Sequence, residues 1–333
     1  MTSNRLISPH DLSPSALKGY LSIIALLKQS AYLLHKIISA GPKVIARSYI
    51  SLLSTLSRRL PSYMSARIAN SIREFTWPEI AFKPKSVMMP NNIMVSIVPH
   101  LGQPDEAALF GKKLEYEPPV FEWLARYAPS EYDVIIEIGA NVGLYTVFLD
   151  ALIKKRTGSR LTRIISFEPS REAYRRLLEN LQNNDVNAQH VTVFQAAVGL
   201  ISGFQSFFEP ADHICNGSLI REFANIFSDT VSETIVLVVG VSELEKYLIG
   251  RKSLIKIDVE GFEPSLVTAM TPLINKYHPD LLIEVLGRTV EEFNNIENLF
   301  KYQKFLITSR GLQQSSSLFV SPGHRDWLLR FRN

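Results

Sequence analysis

The sequence predicts an α/β protein: a doubly wound, mostly parallel seven-stranded sheet carrying an N-terminal helical extension. Three observations lead there. From Tyr132 onward, short apolar runs alternate with amphipathic stretches, the pattern of parallel strands covered by helices. The run Val134–Gly143 reads as a buried strand that turns through glycine into a helix. Residues 1–75 hold ten Lys/Arg against only Asp11 and Glu74, a net charge of +8, although the whole 333-residue chain carries only +4. The chain therefore divides into a basic helical extension at 1–75, a proline-rich connector with short strands at 76–115, and a main domain at 116–333.

In the extension, Leu17, Tyr20, Ile24, Leu27, Ala31, Leu34 and Ile38 recur in steps of three and four, which makes one helix face ended by Gly41-Pro42. Further helices are expected over Val44–Leu60 and Ser65–Phe75. Pro78, Pro84, Pro90, Pro99 and Pro104 break the next stretch into strands and turns. Strands are then expected at Val134–Ile138, Arg163–Phe167, Val191–Gln195, Leu254–Asp258, Leu281–Val285, Lys304–Thr308 and Leu318–Ser321, the last returning antiparallel at the end of the sheet. Helices are expected at Val142–Lys155, Arg171–Asn183, Val241–Ile249, Pro264–Lys276 and Val290–Tyr302. Residues 200–240 interrupt the alternation and read as an insertion over the ligand edge of the sheet.

Composition excludes several classes. An apolar fraction of 46% rules out global disorder, and 16 Gly with one Cys rule out collagen-like and disulfide-stapled folds. The lone Cys215 fits a reducing compartment, so a cytoplasmic location is expected. No stretch of 18 uninterrupted apolar residues predicts a transmembrane helix. The basic extension, with its apolar stripe, reads either as a cap packed on the main domain or as a surface for peripheral membrane contact. No interleaving of basic and aromatic residues argues for a nucleic-acid partner.

A doubly wound sheet binds ligands where its strand order reverses, at the carboxyl ends of the strands. The loop after the first strand reads Glu137-Ile-Gly-Ala-Asn-Val-Gly143. Its glycines are spaced Gly139-x-x-x-Gly143, without the middle glycine of the dinucleotide fingerprint. Glu168 ends the second strand, where a carboxylate can accept two hydrogen bonds from a ribose diol. Glu-x-Gly-x-Asn-x-Gly resembles motif I of class I methyltransferases that use S-adenosylmethionine.

Taken together, Tyr116-Glu117-Pro118, the Glu137–Gly143 loop, Phe167-Glu168-Pro169, Asn180 with Asn184, Ala196-Ala197-Val198-Gly199 and Leu254-Ile-Lys-Ile-Asp-Val-Glu-Gly-Phe-Glu263 resemble the FkbM-type methyltransferases. The resemblance covers roughly residues 112–310. It implies a Rossmann-like class I methyltransferase fold, S-adenosylmethionine as cofactor, and O-methylation of a hydroxyl on a sugar, glycolipid or polyketide-like acceptor. The family usually has Asp where this chain has Glu137. Carried over by position, Glu117 lies near the cofactor's amino acid end and Glu137, Gly139, Ala140, Asn141 and Gly143 form the cofactor loop. Glu168 holds the ribose, and Ala196 and Ala197 flank the adenine.

Lys256, Asp258 and Glu260 alternate with Ile255, Ile257 and Val259, which puts three charges on one face of a strand that should be apolar on both. Asp258, at the strand end, is the candidate base for the acceptor hydroxyl, and Glu260 orients it or binds a further hydroxyl. Asp258, Glu260, Glu263 and Glu284 also offer oxygens to Mg²⁺. The bland alternative is an ion pair from Lys256 to a carboxylate, with Glu284 one candidate partner. Two other functions fit such a sheet: a nicotinamide-dependent oxidoreductase, which needs the missing glycine, and a non-catalytic adaptor docked through its basic helices.

Overall fold

A computed structural model describes residues 28–331 apart from Glu74, Thr76, Pro78, Glu79, Glu115, 156–161, Asp212 and His213. The first part of the expected Leu17–Ile38 helix lies outside these residues. The described chain begins with three helices, α1 (28–39), α2 (Lys43–Ser57) and α3 (Ser62–Arg73). A hairpin follows, β1 (Lys85–Met89) and β2 (Ile93–Ile97), whose turn residues Asn91 and Asn92 are left-handed, then a short α4 (Ala107–Phe110) and α5 (Pro118–Glu131).

Strand and helix then alternate as β3 (Val134–Ile138), α6 (Leu144–Lys155), β4 (Arg163–Phe167), α7 (Arg171–Asn183) and β5 (Val191–Phe194). After β6 (Ala197–Gly199), the insertion contains β7 (Gly203–Pro210), α8 (Arg221–Ala224) and β8 (Val231–Gly240). The chain returns through α9 (Glu245–Leu248), β9 (Ser253–Ile257), α10 (Glu263–Ala269), α11 (Thr271–Tyr277), β10 (Asp280–Glu284), α12 (Val290–Asn294), β11 (Tyr302–Thr308), β12 (Gly311–Ser315) and β13 (Asp326–Phe331).

Eight strands form the main sheet in the order β12-β11-β13-β10-β9-β3-β4-β5, the five from β10 to β5 running parallel. The chain moves outward from β3 to β5 and then returns to place β9 beside β3, so the reversal point falls between these two strands. Both faces are covered. Val134, Ile136 and Ile138 join Ile255 and Ile257 in one core, while Ile135 joins Leu254 and residues of α5 and α6 in the other. This two-residue period fixes where every polar residue of β3 and β9 must point.

The tail departs from expectation. Leu318–Ser321 is not a strand: the Asn294 side chain bonds the backbone N–H and C=O of Leu318, which removes both from any ladder. The returning strand is β13, with Trp327, Leu328 and Leu329 fully buried, and it inserts antiparallel between β10 and β11 rather than at the sheet's end. β12 adds an eighth strand at the edge, where seven were expected. The expected Pro264–Lys276 helix is split at Met270, because Pro272 has no N–H to continue it. The expected Val290–Tyr302 helix ends at Asn294, and Tyr302 already belongs to β11. The expected Val241–Ile249 helix starts as a 3-10 turn over Val241–Leu244. Residues 200–240 hold β7 and β8, which with β6 form a separate three-stranded sheet.

The first helices are tied to the rest by side chains reaching main-chain carbonyls. Ser54 donates to Leu109 O and Ser57 to Phe110 O, both at 2.7 Å. The Arg58 guanidinium donates to Ala108 O and Gly111 O at 2.8 Å and to Ser86 O at 3.2 Å. Ile50, Ala69 and Ile72 close a small core against Leu109 and Phe110. The β1–β2 hairpin is fastened to α7 by two amides. Asn184 bonds both backbone groups of Ser96, while Asn180 accepts from Val98 N at 3.0 Å and donates to Val142 O at 2.9 Å. Asn180 is fully buried. Replacing it by Ala strands a buried N–H and a buried C=O. We expect Asn180→Ala to lower unfolding free energy by about 2–4 kcal/mol, read from urea denaturation.

Candidate functional site

The loop leaving β3 is shaped by what lies beside it. A Cβ at Gly139 would stand 1.8 Å from the carbonyl oxygen of Asp258, so only glycine lets the ends of β3 and β9 meet. Its φ of +87° adds a second reason. Asn141 is also left-handed, with φ of +51°. Gly143, with φ of +82°, turns the chain into α6 against Leu177. Gly139 N and Ala140 N donate to Phe167 O at 3.0 and 2.9 Å, binding the loop to the end of β4. Both oxygens of Glu168 are engaged as well: Asn141 N donates to one at 2.7 Å and Ser170 N to the other at 2.8 Å.

These strand ends border a cavity of roughly 240 Å³. Gly139, Asn141, Glu168, Ala196, Ala197, Asp258 and Glu260 all line it. Ala140 lines a small adjoining crevice with Tyr116, Lys256 and Asp258. Besides Ala140, three residues expected around the cofactor lie off the cavity wall. Gly143 acts through the turn just described. Glu137 lies deeper in the sheet, beside Lys256 on the neighbouring strand, and accepts from Thr146 Oγ1 at 2.6 Å and Ser166 Oγ at 3.0 Å. Glu117, with φ of +41°, accepts from the Tyr145 hydroxyl; it precedes α5 and follows Tyr116, whose ring does line the cavity.

Lys256 and Asp258 meet on one face, Nζ to Oδ2 at 2.9 Å, with the ammonium 4.4 Å above the Tyr145 ring. Glu284 pairs with Arg325 at 2.6 Å and not with Lys256. Glu260 lies past the strand at φ of +53° and accepts from Asn216 Nδ2 at 3.0 Å. Glu263 clamps this turn: one of its oxygens accepts from Val259 N at 3.0 Å and Gly261 N at 3.2 Å, while the other has no hydrogen-bond partner. Gly261 is obligatory because a Cβ there would meet the Phe223 ring at 2.3 Å.

Carboxylates outnumber cations here, and burial dominates their chemistry. Burial raises Glu168 to about 7 against the pull of its two N–H bonds. It raises Glu263 to about 7, and Glu260, also facing Asp258, to about 8. Glu284 is raised by burial and by Asp258, against the pull of Arg325. Burial works against the Lys256 ammonium, but Asp258, Glu137 and Glu117 outweigh it and hold the group charged. Asp258, Glu263 and Glu284 bring ligand oxygens within 4.8 Å of one another. Asp258 and Glu284 are already neutralised by Lys256 and Arg325, so this set is a poor host for Mg²⁺.

Some wall residues had no sequence signal. Arg73, at the end of α3, reaches the cavity and pairs with Glu106 at 3.1 Å; Glu106 also accepts from Gly102 N at 2.8 Å. Gln103 and Arg325 also line the cavity, while Cys215–Leu219 belong to the insertion expected over this edge. Cys215 bonds Gln103 and Asn141, joining insertion, connector and loop. A second cavity of roughly 460 Å³, lined by Phe223, Phe227 and Arg288 among others, shares Asn216, Glu260 and Arg325 with the first.

Residues 137–307 match the family model of the methyltransferase FkbM domain, which is more than half of the chain. The protein belongs to the FkbM methyltransferase family. Its sheet is the class I methyltransferase sheet, with the antiparallel β13 between β10 and β11. Similar crystal structures include methyltransferase FkbM from Methylobacillus flagellatus, 18% identical, covering 60% of this chain and 44% of that one, with TM-score 0.38. The O-methyltransferase TomG from Streptomyces achromogenes, involved in tomaymycin synthesis and in complex with SAM, is 12% identical and covers 65% and 80% of the two chains, with TM-score 0.37. An O-methyltransferase from Bacillus cereus in complex with SAH is 12% identical and covers 65% and 82%, also with TM-score 0.37. This FkbM-family chain thus spans less than half the length of the Methylobacillus protein. No curated protein sequence matches it.

Two outcomes are expected of the FkbM-family site. Gly139→Ala must push backbone against backbone and should destabilise the fold beyond the usual cost of a left-handed alanine, measured by urea denaturation. The raised carboxylates bind more protons folded than unfolded, so their contribution is present at low pH and lost as pH rises toward their folded values of about 7–8. Thermal midpoints should therefore fall by several degrees between about pH 5 and 8. Glu263→Gln should flatten that decline.

Proposed function

We propose that the protein is an S-adenosylmethionine-dependent O-methyltransferase acting on a hydroxyl of a sugar, glycolipid or polyketide-like acceptor. The observation that carries this reading is one cavity bordered by Glu168 at the end of β4, the Gly139–Asn141 turn after β3, and Asp258 beyond β9. The donor set suits this cofactor: a buried carboxylate for a ribose diol, small Ala196 and Ala197 for a flat base, and an excess of acids for its sulfonium and ammonium charges. When bound, S-adenosylmethionine supplies an electrophilic methyl group.

The chain's own residues do the rest. Glu168 holds the ribose, with Asn141 N and Ser170 N fixing its carboxylate. Asp258 accepts the proton of the acceptor hydroxyl as that oxygen attacks, and Lys256 orients it. Glu260, raised to about 8, is protonated at neutral pH and donates to an acceptor oxygen. The acceptor enters through the second cavity, whose shared residues Asn216, Glu260 and Arg325 lead to Asp258. Family membership and the missing middle glycine both weigh against a nicotinamide cofactor.

Calorimetric titration with S-adenosylhomocysteine and, separately, NADH tests the reading; binding of NADH alone would overturn it. For the wild type, S-adenosylhomocysteine affinity should rise about tenfold from pH 6 to 8 as Glu168 ionises through about 7, and Glu168→Gln should abolish that rise. Asp258→Asn should retain S-adenosylhomocysteine binding and lose about a hundredfold or more of methyl transfer, measured with labelled cofactor and a panel of hydroxyl acceptors.

A further inference from the structure

Helices α1 to α3 carry a surface that the packing of the main domain does not use. Residues 28–73 contain eight Lys/Arg and no Asp or Glu. Two of the eight serve the fold: Arg58 bonds main-chain carbonyls and Arg73 pairs with Glu106. The remaining six, Lys28, Lys36, Lys43, Arg47, Arg59 and Arg67, are exposed, and among the described residues none has a carboxylate partner.

The same helices expose large aliphatic side chains. Leu33 and Ile37 on α1 are 58% and 63% exposed, and Val44, Ile45, Leu52 and Leu56 on α2 are 75%, 54%, 57% and 51% exposed. On α2 the positions 45, 52 and 56 fall on one arc, opposite the fully buried Ile50. Patches of this kind are uncommon on a protein that meets only water. Meanwhile His35, buried on the other side of α1, bonds Tyr49 at 2.7 Å and Ser71 at 3.3 Å, so α1 is already seated on α2 and α3 through its polar side.

We infer that this face docks on an anionic lipid bilayer. Exposed aliphatic residues accompanied by exposed cations, with no acid in residues 28–73, match the acyl boundary and headgroup charge of such a surface. A second copy of the chain would set six like charges against six, and a nucleic acid offers no apolar layer for the aliphatic residues. No helix of the described residues is long and apolar enough to cross a membrane, so the helices lie in the interface plane. Docking would hold the catalytic cavity at a fixed height above the bilayer, because Arg73 of α3 is part of its wall.

The test is flotation of the full-length protein with vesicles of phosphatidylcholine alone or with about 30% phosphatidylglycerol, at about 0.1 and 0.5 M salt. Binding to the anionic vesicles only, weakened by salt, is expected. The triple change Ile45→Ser/Leu52→Ser/Leu56→Ser and the double reversal Arg47→Glu/Arg59→Glu should each weaken it at least tenfold, each basic residue being worth about fivefold. Because these side chains are exposed, thermal midpoints should not change. Failure to bind anionic vesicles, equal binding to neutral ones, or variants that bind like wild type would overturn the inference. So would self-association in sedimentation that the triple change abolishes without any vesicle binding.

Discussion

Strands β3 and β9 end side by side, and the Asp258 carbonyl fills the space that any side chain at position 139 would need. Around this contact the remaining pieces take their places. Gly139 and Ala140 reach across to the Phe167 carbonyl, which brings the end of β4 and its Glu168 against the loop. Asp258 N in turn donates to Ile138 O at 3.1 Å, which fixes how far β9 runs before it turns. The sheet reverses its order between these two strands, and the cavity lined by Gly139 and Asp258 lies at their carboxyl ends.

The cost of this arrangement is electrostatic. Glu117, Asp258, Glu260, Glu263 and Glu284 crowd a region where Lys256 and Arg325 are the neighbouring cations, and burial raises most of these acids. Such a cluster is a poor way to stabilise a fold, since buried charge is repaid only in part by pairing. Its excess of acids complements the positive charge of the cofactor proposed above. Glu263 keeps one oxygen unbonded and uses the other to hold the β9–α10 turn, so part of the cluster serves shape and part serves charge.

How much of this was legible depended on periodicity. β3, β4 and α7 have the bounds the sequence suggests, because short runs dominated by Val, Ile and Phe and a Ser170 cap that accepts from Ala173 N leave little choice. The tail misled because two apolar runs compete there, and only the distant Asn294 decides against the first. Glu137 was grouped with the cofactor loop by resemblance, whereas its bonds to Thr146 and Ser166 inside the sheet are seen only in the contacts. Arg73, Gln103 and Arg325 could not be found in advance, since no local pattern records that segments so far apart in sequence border one cavity. Asn180 and Asn184 were visible as a motif, but their work is to hold β2, a role only contacts reveal.

The Arg58 clamp has a consequence for how the molecule can be cut. One guanidinium holds the carbonyls of Ala108, Gly111 and Ser86, and thereby joins the second helix to the segment that leads into the domain. The stretch matched by the family model begins only at residue 137. Yet part of the cavity wall comes from Arg73, Gln103 and Tyr116. The family boundary and the mechanical boundary are therefore different lines. A fragment trimmed to the recognisable domain would strip Phe121 from beside Phe148 and open one side of the cavity. Evolutionary exchange of the N-terminal helices, if it preserves function, must carry the 73–116 segment with them as a single cassette.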